Sequence, residues 1–108
     1  MKKYAAYLKE KYNRELIENE YGFIEYEVYE DRSLYIYTLF VTEEGRNNGQ
    51  GKGFEDIVIE KENPSVIFCD IDKYSNDWVL ALVSICKKAN YKVFNDMEDK
   101  VILYKELG

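Results

Sequence analysis

A chain of 108 residues has room for one domain, here 1–108, and its 46% hydrophobic content supports a core without disulfides or metals. One proline and six glycines exclude a low-complexity or disordered chain. The net charge of −6 excludes the basic face by which general nucleic-acid binders and anionic-membrane binders meet phosphate, so neither partner is expected. With no histidine in the chain, most zinc sites and every Ser-His or Cys-His nucleophile are also excluded. Cys69 and Cys86 lie in apolar stretches and read as free thiols of a reducing compartment. The start, MKKYAAYLKEKY, lacks an apolar signal core, and no run approaches the ~18 apolar residues of a membrane span, which makes the cytoplasm the expected location.

In chain order, Lys2 to Lys11 reads as a short helix with Tyr4, Tyr7 and Leu8 on one face. Arg14 to Asn19 is strand-like and meets a turn near Tyr21-Gly22. Phe23 to Glu30 alternates, with Phe23, Glu25, Glu27 and Tyr29 on one face and Ile24, Tyr26 and Val28 on the other. A turn at Asp31-Arg32-Ser33 leads into LYIYTLFV, Leu34 to Val41, which reads as a central strand covered on both faces. Thr42 to Asn48 reads as a polar loop. Gly51 to Glu62 is a helix with Phe54, Ile57, Val58 and Lys61 on one stripe, stopped by Asn63-Pro64. Val66 to Asp70 is a short buried strand. Asn76 to Ala89 is a helix with Trp78, Leu82, Ile85 and Ala89 on one stripe and Val79 and Cys86 beside it. Tyr91 to Asn95 and Lys100 to Leu107 close the chain as a hairpin. The order α-β-β-β-α-β-α-β-β predicts an α+β fold with a mixed sheet and helices on both faces.

The informative stretch is Arg46-Asn47-Asn48-Gly49-Gln50-Gly51-Lys52-Gly53, between a strand and an amphipathic helix. The free amides of a helix N-terminus stabilise an anion, and glycines let phosphate approach the backbone. Arg46 and Lys52 add positive charge. A Walker loop requires Gly where Arg46 stands and Ser or Thr where Gly53 stands. A dinucleotide fingerprint requires G-x-G-x-x-G in place of this G-x-G-x-G. Asp70-x-Asp72 lacks the central Gly of a calcium loop, so no metal is expected.

The stretch resembles the signature of the GNAT superfamily of acetyl-CoA-dependent N-acetyltransferases. Leu39-Phe40-Val41 ends a strand, and Arg46-x-x-Gly49-x-Gly51 follows before a helix. Asn76, the helix to Ala89, Asn90-Tyr91 in the family's Gly-Phe position and the closing strands are similar to its second region. YAAYLKE and EYGFIEYEVYED are similar to small stand-alone members of phages and low-GC bacteria. The resemblance implies the GNAT fold, a mixed and mostly antiparallel sheet, with acetyl-CoA as acyl donor. It also implies direct transfer of the acetyl group to a primary amine, on a small molecule or a peptide, and it leaves a homodimer open. The residues it implies for the donor are Leu39, Phe40 and Val41 pairing with pantetheine, Arg46, Asn47, Asn48, Gly49, Gln50, Gly51 and Lys52 around the pyrophosphate, and Asn76 on the pantetheine arm. A backbone amide near Phe40 takes the oxyanion role.

Where many relatives carry a tyrosine as thiolate acid, four residues before the Gly-Phe pair, this chain has Cys86. A thiol there reads either as packing or as proton donor. Glu25, Glu27 and Asp70 are candidate bases, each also readable as a solvated carboxylate. Tyr35 and Tyr37 read as packing with a hydrogen-bonded hydroxyl, as acids or as substrate walls. The catalytic candidates are therefore Cys86, Glu27 and Tyr37. Two other classes stay open: a non-catalytic acyl-CoA-binding or protein-binding module, and a small acidic, phage-type inhibitor, for which the −6 charge and eleven tyrosines speak.

Overall fold

The computed structural model describes residues 2–46, 49–74 and 79–107, without the side chains of Val79, Ala81 and Leu82. The elements are α1 (Lys2–Tyr12), β1 (Glu15–Asn19), β2 (Gly22–Val28), β3 (Ser33–Val41), α2 (Glu43–Arg46), α3 (Gln50–Glu62), β4 (Val66–Asp72), α4 (Val79–Lys88), β5 (Lys92–Asp96) and β6 (Lys100–Glu106). The strands form one sheet in the order β1-β2-β3-β4-β6-β5. Every neighbouring pair is antiparallel except β3 and β4, which run parallel because α3 crosses over between them.

The alternation predicted for Phe23 to Glu30 is present through Val28, where β2 ends; Tyr29 and Glu30 belong to the turn that follows. Ile24 and Tyr26 are fully buried and join Leu34, Ile67 and Leu103 in the core, with Phe54 and Val58 of α3 laid over them. Val83, Cys86 and Ala89 bring α4 onto this same face. α1 instead packs along the edge strand β1 with Leu8 buried, and its end reaches the opposite face, where Arg14 lies over the Tyr12 and Tyr37 rings.

Two turns depend on local chemistry. Asn19 Oδ1 accepts from the amides of Tyr21 and Gly22, and a Cβ on Gly22 would stand 1.9 Å from the Phe40 carbonyl oxygen, so only glycine lets β2 and β3 close. Arg32 takes a left-handed φ of 68° between Tyr29 and Ser33, while Asp31 Oδ1 accepts from the Ser33 amide and hydroxyl.

The structure corrects four expectations. Thr42 to Asn48 is not wholly loop, because Thr42 caps a four-residue helix with its hydroxyl accepting from the Gly45 amide. Leu39 and Phe40 are 44% and 45% exposed, so β3 is covered on both faces only through its first half. Ile57 turns outward from α3, whose buried pair is Phe54 and Val58, spaced i and i+4. Ile85 is 62% exposed, because Val83 and Cys86 dock α4 and Ile85 falls on its far side. Trp78 lies outside the described residues, as does the side chain of Leu82.

Candidate functional site

β3 carries one more residue than the strand beside it. Glu25 pairs with Thr38 and Tyr26 with Ile36, leaving Tyr37 as the extra residue of a β-bulge. A bulge bends its strand and sharpens the twist. The parallel ladder between β3 and β4 ends at the pair Ile36–Cys69, one residue before this bulge. β4 continues along β6 to Asp72, while the second half of β3 stays with β2. The two strands therefore part, and a seam opens between Thr38–Val41 on one side and Asp70–Asp72 on the other.

The amide of Thr42 donates to the Tyr21 carbonyl on the β2 side. Backbone groups alternate along an antiparallel strand, so those of Phe40 also turn to β2 and those of Leu39 and Val41 turn to the seam. The Phe40 amide thus belongs to the β2 ladder, and the amides near it that face the seam are those of Leu39 and Val41. The Val41 carbonyl accepts from Arg46 Nε at 2.9 Å, which ties α2 to the end of β3. Gly45 is buried beneath that link, where a Cβ would stand 2.8 Å from Val41 Cγ1 and 2.9 Å from Tyr21 Cβ.

Beyond α2 the chain enters α3 through Gly49, at φ 70° and ψ 22°, without a side-chain cap. The Gly53 amide donates to the Gly49 carbonyl at 3.1 Å. Helix geometry leaves the amides of Gln50, Gly51 and Lys52 without an acceptor inside α3. Among the described residues a Cβ at Gly49, Gly51 or Gly53 would meet nothing within 4 Å, so all three glycines open onto space there. Lys52 pairs with Asp56 at 3.2 Å on the exposed side of the helix. Asn47, Asn48 and Asn76 lie outside the described residues.

The catalytic candidates divide between the faces. Cys86 lies with Cys69 on the side of α3 and α4; a hydrogen bond between the thiols, together with burial, pushes the Cys69 thiol up. Cys69 is also the last residue of β4 paired to β3, which puts the thiols where the strands part. Glu27 and Tyr37 meet on the other face, with the Tyr37 hydroxyl donating to Glu27 Oε1 at 2.9 Å and lying 3.1 Å from the Tyr29 hydroxyl. Burial and these hydrogen bonds raise the Tyr37 hydroxyl above its ordinary value. Glu27 sits on β2, one strand removed from the seam.

Of the three carboxylates, Asp70 is the one at the seam. It accepts from the Tyr35 hydroxyl at 2.8 Å and has Lys100 Nζ at 3.9 Å. Burial first, then Asp70, raises the Tyr35 hydroxyl. Glu25 serves the fold, since it is buried, pairs with Arg14 at 2.9 Å and accepts from Thr38 Oγ1 at 3.0 Å. Pairing each tyrosine with its own carboxylate was beyond sequence reasoning; the only signal was that Tyr35, Tyr37 and Asp70 fall on outward positions of their strands. Asn90 ends α4 at φ 73°, the left-handed conformation expected at the Gly-Phe position, and Tyr91 beside it is buried.

No protein-family model matches the sequence, and no curated protein does. Solved structures match through the fold. A protein from Desulfovibrio desulfuricans described as a GNAT-family acetyltransferase superposes with a TM-score of 0.70 at 13% identity, over 85% of this chain and 66% of its own. The PaiA N-acetyltransferase of Thermoplasma acidophilum, in complex with coenzyme A, gives 0.64 at 18% identity, over 81% of this chain and 54% of its own. An acetyltransferase of Bacillus subtilis, in complex with CoA, gives 0.66 at 16% identity, over 95% and 84%. The chain thus spans between about half and two thirds of the first two neighbours. Its fold is that of the GNAT acetyltransferases. Among the described residues no helix is long and apolar enough to cross a membrane.

Proposed function

We propose that this chain is an acetyl-CoA-dependent N-acetyltransferase that moves the acetyl group directly to a primary amine. The observation that carries the reading is the open, glycine-lined start of α3 standing after the strand that parts from β4. Both features fit a donor with a diphosphate at one end and a narrow polar arm at the other. The amides of Gln50, Gly51 and Lys52 would hold the diphosphate, and the open space at Gly51 and Gly53 would let phosphate approach the backbone. Leu39 and Val41 would pair with the arm as a further strand, through the groups that face the seam, apart from the Val41 carbonyl already held by Arg46. Acetyl-CoA would supply an acetyl group activated as a thioester.

The chain's own residues hold and move protons. The amine nitrogen forms a C–N bond as the C–S bond breaks, so one proton leaves nitrogen and one reaches the departing sulfur. Asp70 is the carboxylate at the seam and the proton acceptor in this reading, held in place by Tyr35, whereas Glu27 sits on β2, one strand removed from the seam. Cys86, beside the end of the β3–β4 ladder, is the proton donor to sulfur, and the amide of Leu39 or Val41 faces the developing oxyanion. Amine acceptors incubated with acetyl-CoA should release one free thiol per N-acetyl product, read by a thiol reagent and mass spectrometry. Bound acetyl-CoA with no thiol release across primary amines would instead mark a binding module.

A further inference from the structure

The face of the sheet opposite α3 and α4 carries an aromatic strip that donor binding leaves unused. Tyr35 of β3 lies between Tyr37 and Phe68, with ring centroids 5.2 and 6.4 Å away. Phe68 of β4 continues the strip to Phe94 at 5.5 Å and Tyr104 at 6.3 Å. The Tyr37 end is closed, because the Arg14 guanidinium sits 3.7 Å from the Tyr37 ring centroid. The other end is open. Val66, Phe68, Val93, Phe94, Tyr104 and Glu106 line a groove of ≈ 530 Å³, and Phe94 is 57% exposed within it. Such a ring left in water at a concave apolar site is a place for a ligand's apolar part.

The strip begins at the seam. Phe68 and Asp70 lie two residues apart on one face of β4, about 7 Å along a strand, and Tyr35 touches both, ring against ring and hydroxyl to carboxylate. That spacing matches an amine joined to a ring by a short alkyl linker. Resting on the acetyltransferase reading above, we propose that the acceptor is a small primary amine bearing an apolar, ring-sized tail. Its amine meets Asp70, and its tail lies in the groove of Phe68, Phe94 and Tyr104. The adjoining pocket of Asp70, Asp72, Tyr74, Asp99 and Lys100 is the place where an acceptor with a second positive charge would go instead.

The test compares phenethylamine, ethylamine and putrescine as acceptors for the wild-type chain and for Phe94→Ala. The Phe94 ring is exposed and lies outside the core, so the variant should melt as the wild-type chain does. Phenethylamine should show a KM at least ~10-fold below that of ethylamine, since an apolar ring leaves water on binding. Phe94→Ala should raise the phenethylamine KM ~10-fold while leaving the ethylamine and acetyl-CoA KM values in place. Equal KM values for the two monoamines, a preference for putrescine, or a variant that shifts every acceptor alike would overturn the proposal with the donor reading intact. Loss of acetyl-CoA binding by the wild-type chain would sink the donor reading separately. Phenethylamine titrated into the wild-type chain and followed by NMR of Phe94 and Tyr104 reads the groove even without turnover, and no perturbation there refutes it.

Discussion

Replacing Gly51 by alanine separates the fold from the donor site, because the two respond with opposite signs. The added Cβ meets no atom of the described residues within 4 Å, and Gly51 does not share the positive φ of Gly49, so alanine fits without strain. Alanine in a helix gains ~0.5–1 kcal/mol over glycine, and a first-turn position keeps roughly half of that. The free protein should therefore melt ~1–2 °C higher than wild type. Acetyl-CoA at a hundred times its Kd should stabilise the wild-type chain by ~2.7 kcal/mol, a shift of about 10 °C. The methyl group occupies the space through which phosphate would reach the amides of α3. A 100-fold loss of affinity would leave ~0.4 kcal/mol at the same concentration, or ~2 °C. Differential scanning fluorimetry with and without acetyl-CoA reads both effects on one sample, and calorimetric titration gives the affinity. The reasoning fails if the free variant melts lower than wild type, or if it keeps the full acetyl-CoA shift.

Three more outcomes follow from particular contacts. Gly22→Ala sets a Cβ 1.9 Å from the Phe40 carbonyl oxygen and 2.9 Å from Val41 Cα, both backbone atoms, so β2 and β3 must separate. Urea denaturation should show a loss of more than ~3 kcal/mol, and a loss under ~1 kcal/mol would contradict the close approach. Cys86→Ala should lower kcat while the acetyl-CoA affinity stays put, whereas an unchanged kcat would return Cys86 to packing. Alkaline pH should unfold the protein through its buried tyrosines. Burial, then Glu62, raises the Tyr26 hydroxyl, and burial, then Glu55, raises that of Tyr91. The folded state thus keeps protons that the unfolded chain gives up near pH ~10. Their stabilising contribution is complete below that pH and is lost as pH climbs toward the folded values, by up to ~1.4 kcal/mol per pH unit for each group. Tyr26→Phe should flatten the fall in stability above pH ~10, read by circular dichroism, and an unchanged slope would rule Tyr26 out as its source.

Local chemistry was legible from the chain alone. The alternation from Phe23 to Val28, the Asn63-Pro64 stop, the closing hairpin and the glycines opening α3 each depend on a few adjacent residues, so order and type of the elements, α2 apart, could be read directly. The GNAT resemblance rested on the same local stretch and gave the fold that the neighbours share. The helix faces were harder. Ile57 and Ile85 obey the helical period as well as their buried neighbours do, and only docking against the sheet decides which apolar side chains turn inward.

The seam was decided by tertiary structure. Tyr37 became an extra residue only when β3 was laid against β2, and that bulge sends Phe40 to the ladder and Leu39 to the opening. Likewise, a carboxylate in the sequence carries no address. Glu25, Glu27 and Asp70 look alike in the chain, yet Arg14 fills the first, Tyr37 holds the second, and strand pairing sets the third at the parting of β3 and β4. Periodicity acts over one or two turns of chain, whereas a cleft is formed by residues brought together across the sheet, and their register has no local signature.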